Sequence, residues 1–229
     1  MPTTIRIISG SGPEAGLDLY QKVLRAHRAE LGADYRGDVD APRIVLISEP
    51  VLGLSMDLER HETDVWAALE RTVRRLAPQV DVYAVACNTL NVFADRLVAL
   101  GLDAELVSSQ AVVATYLRAH DVRRAGLLGA APVGRLGRHS AFSALAREVE
   151  LVVPDETGPL HQLIHDIKSA GTANPDHCRQ LTEIARELQT EPVLLACTEL
   201  PLAHDPDAPY DAVDVTDLLA RELVRRALI

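Results

Sequence analysis

The feature that most narrows what this chain can fold into is a repeated unit: a short unbroken apolar run, a turn of small residues, then a stretch with helical spacing. Ile5-Arg6-Ile7-Ile8 leads into Ser9-Gly10-Ser11-Gly12-Pro13, after which Leu17, Tyr20 and Leu24 recur at helical intervals. Ser11 or Gly12 can cap that helix, Pro13 suits its first position, and Glu14 faces the positive end of its dipole. Ile44-Val45-Leu46-Ile47-Ser48 reads as a second strand. Asp64 to Leu76 carries Val65, Leu69 and Val73 along one helical face, with Pro78 as its stop. Val82-Tyr83-Ala84-Val85-Ala86 is a third strand and ends on Cys87.

The second half repeats the rhythm. Ala125-Gly126-Leu127-Leu128-Gly129 is a strand that breaks into small residues, and Arg135 to Val149 is predicted as a helix. Glu150-Leu151-Val152-Val153 follows as a strand, then helices over Leu160 to Ser169 and His177 to Leu188. Pro192-Val193-Leu194-Leu195-Ala196 delivers Cys197, and Val213 to Leu228 is predicted as a closing helix. Continuous apolar strands alternating with helices imply an α/β fold of mostly parallel sheets, each flanked by helices. Two matched halves imply internal duplication into two pseudo-symmetric lobes, with the active site at the lobe interface. Residues 1–107 together with 206–229 are expected to form the lobe carrying Cys87, and residues 108–205 the lobe carrying Cys197.

Several function classes are excluded early. A formal charge of -10 with no basic stripe argues against nucleic acid as a partner. No apolar stretch approaches the roughly 20 residues of a membrane span. Met1-Pro2-Thr3-Thr4 runs straight into a strand with no positive leader, so a cytoplasmic location is expected. The 3 cysteines are odd in number and never in CxxC spacing, which fits reduced thiols rather than disulfides or a zinc site. His161 and His165 share a helical face, but no third ligand is evident, so no metal is expected.

The two cysteine strands carry the chemistry. A single cysteine after an apolar strand is most often a small buried hydrophobe. Here both Cys87-Asn88-Thr89 and Cys197-Thr198-Glu199 place small polar groups at a strand-to-helix junction, where amides and hydroxyls can donate to a thiolate or a bound carboxylate. Cys178 lacks that context and reads as structural. Inverting a carbon acid needs a base on one face of the carbon and an acid on the other. Cysteine serves as either, because its ordinary pKa of about 8.5 can be tuned toward neutrality. One thiol on each lobe of a near-symmetric fold matches a near-symmetric reaction.

In order along the chain, Ser9-Gly10-Ser11-Gly12-Pro13-Glu14-Ala15-Gly16, Ala86-Cys87-Asn88-Thr89 and Cys197-Thr198-Glu199-Leu200-Pro201 resemble the signature motifs of the aspartate/glutamate racemase superfamily. Val153-Pro154-Asp155-Glu156 and the helix after it resemble that family's third quarter. The resemblance implies racemisation of an amino acid, aspartate or glutamate foremost, without a cofactor and with Cys87 and Cys197 as the acid/base pair. It also implies a homodimer acting on a small amino-acid or dicarboxylate substrate. By motif position, Asn88, Thr89, Thr198 and Glu199 are expected to contact substrate or support the thiols, Ser11 and Gly12 to line the floor, and Lys168 to clamp a carboxylate.

Departures from the family pattern bear on the substrate. The usual loop arginine after the second strand is missing from Glu49-Pro50-Val51-Leu52-Gly53-Leu54-Ser55-Met56-Asp57. Asn91 and Leu219 stand where relatives often carry histidines, and the turn Gly129-Ala130-Ala131-Pro132-Val133 lacks the usual threonines. Arg60, Lys168, Arg135 and Arg138 are the cations that could substitute. Rival readings are a maleate-type cis/trans isomerase, a hydantoin racemase, or a non-catalytic binding protein on the same fold. A pyridoxal-dependent mechanism needs a Schiff-base lysine in a deep site. Lys22 reads as a surface residue and Lys168 lies near a helix end, so neither suits that role.

Overall fold

The computed structural model describes residues 3–76 and 80–228. Met1, Pro2 and Pro78, which entered the expectations above, lie outside the described residues. Strands β1 (Thr4–Ser9), β2 (Arg43–Ser48), β3 (Val82–Val85) and β4 (Glu105–Leu106) form an all-parallel sheet in the order β2-β1-β3-β4. Strands β5 (Arg124–Leu128), β6 (Glu150–Val152), β7 (Val193–Leu195) and β8 (Ala212–Asp214) form a second with the equivalent order β6-β5-β7-β8. Two parallel sheets, each flanked by helices, are thus the duplicated α/β architecture expected. In each sheet the chain leaves its first strand on one side and returns on the other. That reversal opens a crevice beyond the carboxyl ends of β1 and β3, and of β5 and β7.

The central strands β1, β3, β5 and β7 are buried on both faces, so their residues alternate between two cores rather than between core and water. In the first lobe Ile5 and Ile7 pack with α1 (Pro13–Leu31) and α9 (Val215–Ala227), while Ile8, Tyr83 and Val85 pack with α2 (Leu58–Leu76). Cys87 belongs to the α2-side core in phase with Tyr83 and Val85. In the second lobe Leu127, Leu194 and Ala196 pack with α4 (Ser109–Ala119) and Phe142. Val193, Leu195 and Cys197 pack instead with α6 (Thr157–Ala170) and α7 (Pro175–Glu187). The two cysteines therefore occupy equivalent phases of equivalent strands. Arg6 is buried as deeply as its apolar neighbours, and burial pulls its guanidinium down to about 10.

Four expectations change. The helix predicted over Arg135 to Val149 is instead the short α5 (Ala131–Gly134), a run of turns and a 3-10 turn at Leu145–Arg147. Leu136 adopts a positive φ of 51°, which a helix does not accommodate, and Ser140 Oγ donates to the Val133 carbonyl at 2.8 Å, folding the segment back over buried Phe142. The closing helix begins at Val215, because Ala212–Asp214 is the edge strand β8, with Val213 paired to Leu194. Strand β8, which the expected division placed with the first lobe, thus hydrogen-bonds into the second sheet, and α9 is the element that returns to α1.

Lys22, read from the sequence as a surface residue, is buried and pairs with Asp18 and, at 2.7 Å, with Asp214. Asp214 also caps α9, accepting from Thr216 N–H at 2.8 Å and Asp217 N–H at 3.1 Å. One carboxylate therefore serves the start of α9 and its attachment to α1. Asp214→Ala is expected to cost about 1–2 kcal/mol through the lost cap, lowering the melting temperature by roughly 2–8 °C in calorimetry.

Candidate active site

Each cysteine leaves its sheet by the same backbone step. Ala86 N–H donates to the Ile8 carbonyl at 2.8 Å and Ala196 N–H to the Leu128 carbonyl at 2.7 Å. The chain then turns away, into a 3-10 segment (Thr89–Phe93) after Cys87 and into α8 (Leu200–Ala203) after Cys197. Asn91 fixes the first turn: its Nδ2 donates to the Cys87 carbonyl at 2.9 Å, and its Oδ1 accepts from Ser109 N–H at 2.9 Å at the start of α4. Asn91 is thus a buried structural bridge.

The surroundings of the two thiols differ. Cys87 is 7% exposed and donates to Ser11 Oγ at 3.2 Å, with Ser55 Oγ at 3.8 Å and the two hydroxyls 2.7 Å apart. Cys197 is 8% exposed and donates to Glu199 Oε2 at 3.1 Å. Thr198 Oγ1 donates to the same oxygen at 3.2 Å, and Lys168 Nζ holds Oε1 at 2.5 Å. Lys168 also donates to the Ser11 carbonyl, so a continuous chain of contacts runs from Cys87 through Ser11, Lys168 and Glu199 to Cys197.

That network is strongly polarised. Burial, followed by the Glu199 carboxylate, pushes the Cys197 thiol well above the ordinary cysteine range, and Lys168 only partly offsets this. Burial acts to lower the Lys168 ammonium, but Glu199, and the two cysteines in their thiolate forms, outweigh it and hold the group above the usual lysine value. Lys168 reaches the site from the last turn of α6, which stops immediately afterwards at Gly171 in a left-handed conformation (φ 68°). Gly12 gives the ion pair its room. It adopts φ 147°, and a Cβ there would lie 2.1 Å from Glu199 Oε1 and 3.0 Å from Lys168 Nζ.

Most of the expected residues converge. Ser11, Gly12, Cys87, Lys168, Cys197, Thr198 and Glu199 form one cluster spanning the lobe interface. Asn88 and Thr89 are each 5% exposed beside Cys87, and their side chains make no hydrogen bond among the described residues. Of the substitute cations Lys168 joins the cluster, and the three arginines do not. Arg60 is 78% exposed and faces Asp57 at 3.6 Å, while Arg135 is held by Glu59 at 3.3 Å, and Arg138 is exposed. Leu219 is a core residue between α1 and the first sheet. His161 accepts from Ala131 N–H at 3.2 Å, and burial lowers its pKa. Among the described residues, no three His, Cys, Asp or Glu side chains gather as a metal site.

Ser55 is the functional candidate that sequence reasoning missed. Glu49 N–H donates to the Ser9 carbonyl at 3.0 Å, and its carboxylate caps a 3-10 segment, Pro50–Asp57, which carries Ser55 inward to 1% exposure. Gly10 permits that approach: with φ 123°, its absent Cβ would sit 2.0 Å from the Glu49 carbonyl oxygen. No spacing rule marks a lone serine in Leu54-Ser55-Met56.

A family model described as Asp/Glu/Hydantoin racemase matches residues 8–223, and the chain belongs to that family. Among solved structures, Picrophilus torridus aspartate racemase superposes with a TM-score of 0.80 at 20% identity, covering 98% of this chain and 94% of its own. An aspartate racemase homologue from Pyrococcus horikoshii gives 0.78 at 22% identity, with 100% of both chains covered. Glutamate racemase from Campylobacter jejuni gives 0.65 at 13% identity over 98% of this chain and 86% of its own. No curated protein matches the sequence itself.

Proposed function

We propose that this protein is a cofactor-independent racemase that inverts the α-carbon of an amino acid with Cys87 and Cys197 as the acid/base pair. The observation that supports this most directly is the equivalent exit of the two cysteines from β3 and β7 into one polar cluster. A thiolate on one face takes the Cα proton, and a thiol on the other returns a proton to the opposite face. General acid/base assistance of this kind contributes roughly 10²- to 10⁴-fold. Ser11 and Gly12 line the floor, while Asn88 and Thr89, buried with uncommitted side chains, are the groups available to the substrate's carboxylate. Glu199 and Thr198, already bonded to each other and to Cys197, support the thiol.

Aspartate or glutamate is the first substrate of this reading, with Lys168 as its carboxylate clamp. The likeness to the solved Picrophilus torridus aspartate racemase supports it. One observation favours a second reading, in which the substrate lacks a second carboxylate: the Lys168 ammonium is already neutralised by Glu199 and Arg60 is turned to solvent. A homodimer belongs to the proposal, and the partly exposed edge strand β2, whose Val45 and Ile47 lie outside the core clusters, offers an apolar surface for one. A cytoplasmic setting suits the three free thiols. No helix among the described residues is long and apolar enough to cross a membrane.

The deciding experiment incubates each enantiomer of aspartate, glutamate, alanine and a 5-substituted hydantoin with the protein in deuterium oxide. Loss of optical rotation with label in the product, and little label in recovered substrate at early times, is the expected result. Label entering substrate and product equally from the start points to one base rather than two. Binding without any exchange favours the non-catalytic alternative.

A further inference from the structure

The near-symmetric fold holds an unsymmetric proton arrangement. Cys87 faces two neutral hydroxyls, Ser11 and Ser55, whereas Cys197 donates its proton to a carboxylate at 3.1 Å. Exposure cannot account for any difference in behaviour, since the two residues are 7% and 8% exposed. Glu199 is fixed in place by Lys168 on its other oxygen and by Thr198, so its acceptor remains aimed at Cys197. Nothing comparable faces Cys87 among the described residues.

Resting on the two-cysteine reading above, we propose that Glu199 is a positioning residue that keeps the proton on Cys197 in the resting enzyme, leaving Cys87 as the waiting base. Turnover from this form begins at the substrate enantiomer whose Cα–H faces Cys87. The Cys87 thiolate forms an S–H bond as the Cα–H bond breaks, and its electron pair stays on the carbon. That pair then takes the proton of the Cys197 S–H on the opposite face. Cys87 is left a thiol and Cys197 a thiolate beside Glu199, an unfavourable pairing of negative charges that drives proton return. The opposite enantiomer must meet this second, less populated form. The Lys168 charge acts on both thiols, and at Cys197 it is opposed by Glu199.

The test needs no substrate. Alkylation by iodoacetamide is followed at each thiol by mass spectrometry of peptides across a pH series, because only the thiolate reacts. Cys87 is expected to react first at neutral pH, with Cys197 at least about tenfold slower, because the Glu199 carboxylate holds the proton on Cys197 and only a thiolate reacts. Glu199→Gln should shift the Cys197 profile to lower pH and close the gap, whereas Lys168→Met should shift it to higher pH. General loosening of the site would move both variants in the same direction, so opposite shifts separate a proton-positioning role from a structural one. Equal reactivity of the two thiols in the native protein overturns the proposal. So does a Cys197 profile unmoved by Glu199→Gln. The predicted alkylation pattern without racemisation of any substrate would leave the placement of the proton by Glu199 standing and remove the racemase reading; racemisation with equally reactive thiols would do the reverse.

Discussion

Cys87→Ala and Cys197→Ala each lower racemisation by at least roughly 10²- to 10⁴-fold, the contribution expected of a positioned acid or base. The loss is not equivalent in the two variants. A remaining thiolate can still remove and return the proton on its own face, so each variant should retain solvent exchange at Cα of one enantiomer only, without inversion. Cys→Ser variants should be almost as inactive, because a serine hydroxyl is far too weak an acid to hold a useful population of its anion. Polarimetry together with deuterium incorporation into each enantiomer checks the set. Full turnover in either single variant would remove the two-base mechanism outright.

Lys168→Met is expected to destabilise the fold by about 3–5 kcal/mol, the usual cost of removing one partner of a buried ion pair. Glu199 is 3% exposed at its side chain and Lys168 17%, so water replaces little of what is lost. The Ser11 carbonyl also loses its donor, which weakens the tie between lobes. Calorimetry should show a fall in melting temperature of roughly 6–20 °C. Adding Glu199→Gln should restore much of it by removing the stranded charge. In the native protein the folded-state value of Lys168 is raised, so its stabilisation is fully present below the ordinary lysine value and is lost as pH climbs through the folded one. An unchanged melting temperature would mean that the pair merely balances its own desolvation.

The two predictions probe different layers. Family membership and the duplicated sheet were legible because period and punctuation are local properties. An unbroken apolar run such as Val193-Leu194-Leu195 has to be buried on both faces, and a small polar turn after it has to lie at a strand end. Lys168 before Gly171, and Gly12 before Pro13, were equally readable as helix boundaries. The helix predicted over Arg135 to Val149 failed because helical spacing alone does not reveal that Leu136 turns left-handed and that Phe142 must fill the second core. Lys22 was misplaced for a related reason, as its partner Asp214 is distant in sequence and adjacent only once β8 has joined the second sheet.

What the sequence determined by itself was the repeat and its endpoints: two apolar strands, each running into a cysteine followed by small polar residues. Backbone periodicity and turn chemistry act over a few residues, so they can be read from a string. The tertiary structure alone decided what each cysteine faces. Ser55 reaches Cys87 through a 3-10 segment with no diagnostic spacing, Lys168 crosses from the second lobe to Ser11, and Glu199 turns back onto Cys197. Proton affinity depends on charge and burial within a few ångströms in space, and those distances exist only after the lobes close on one another.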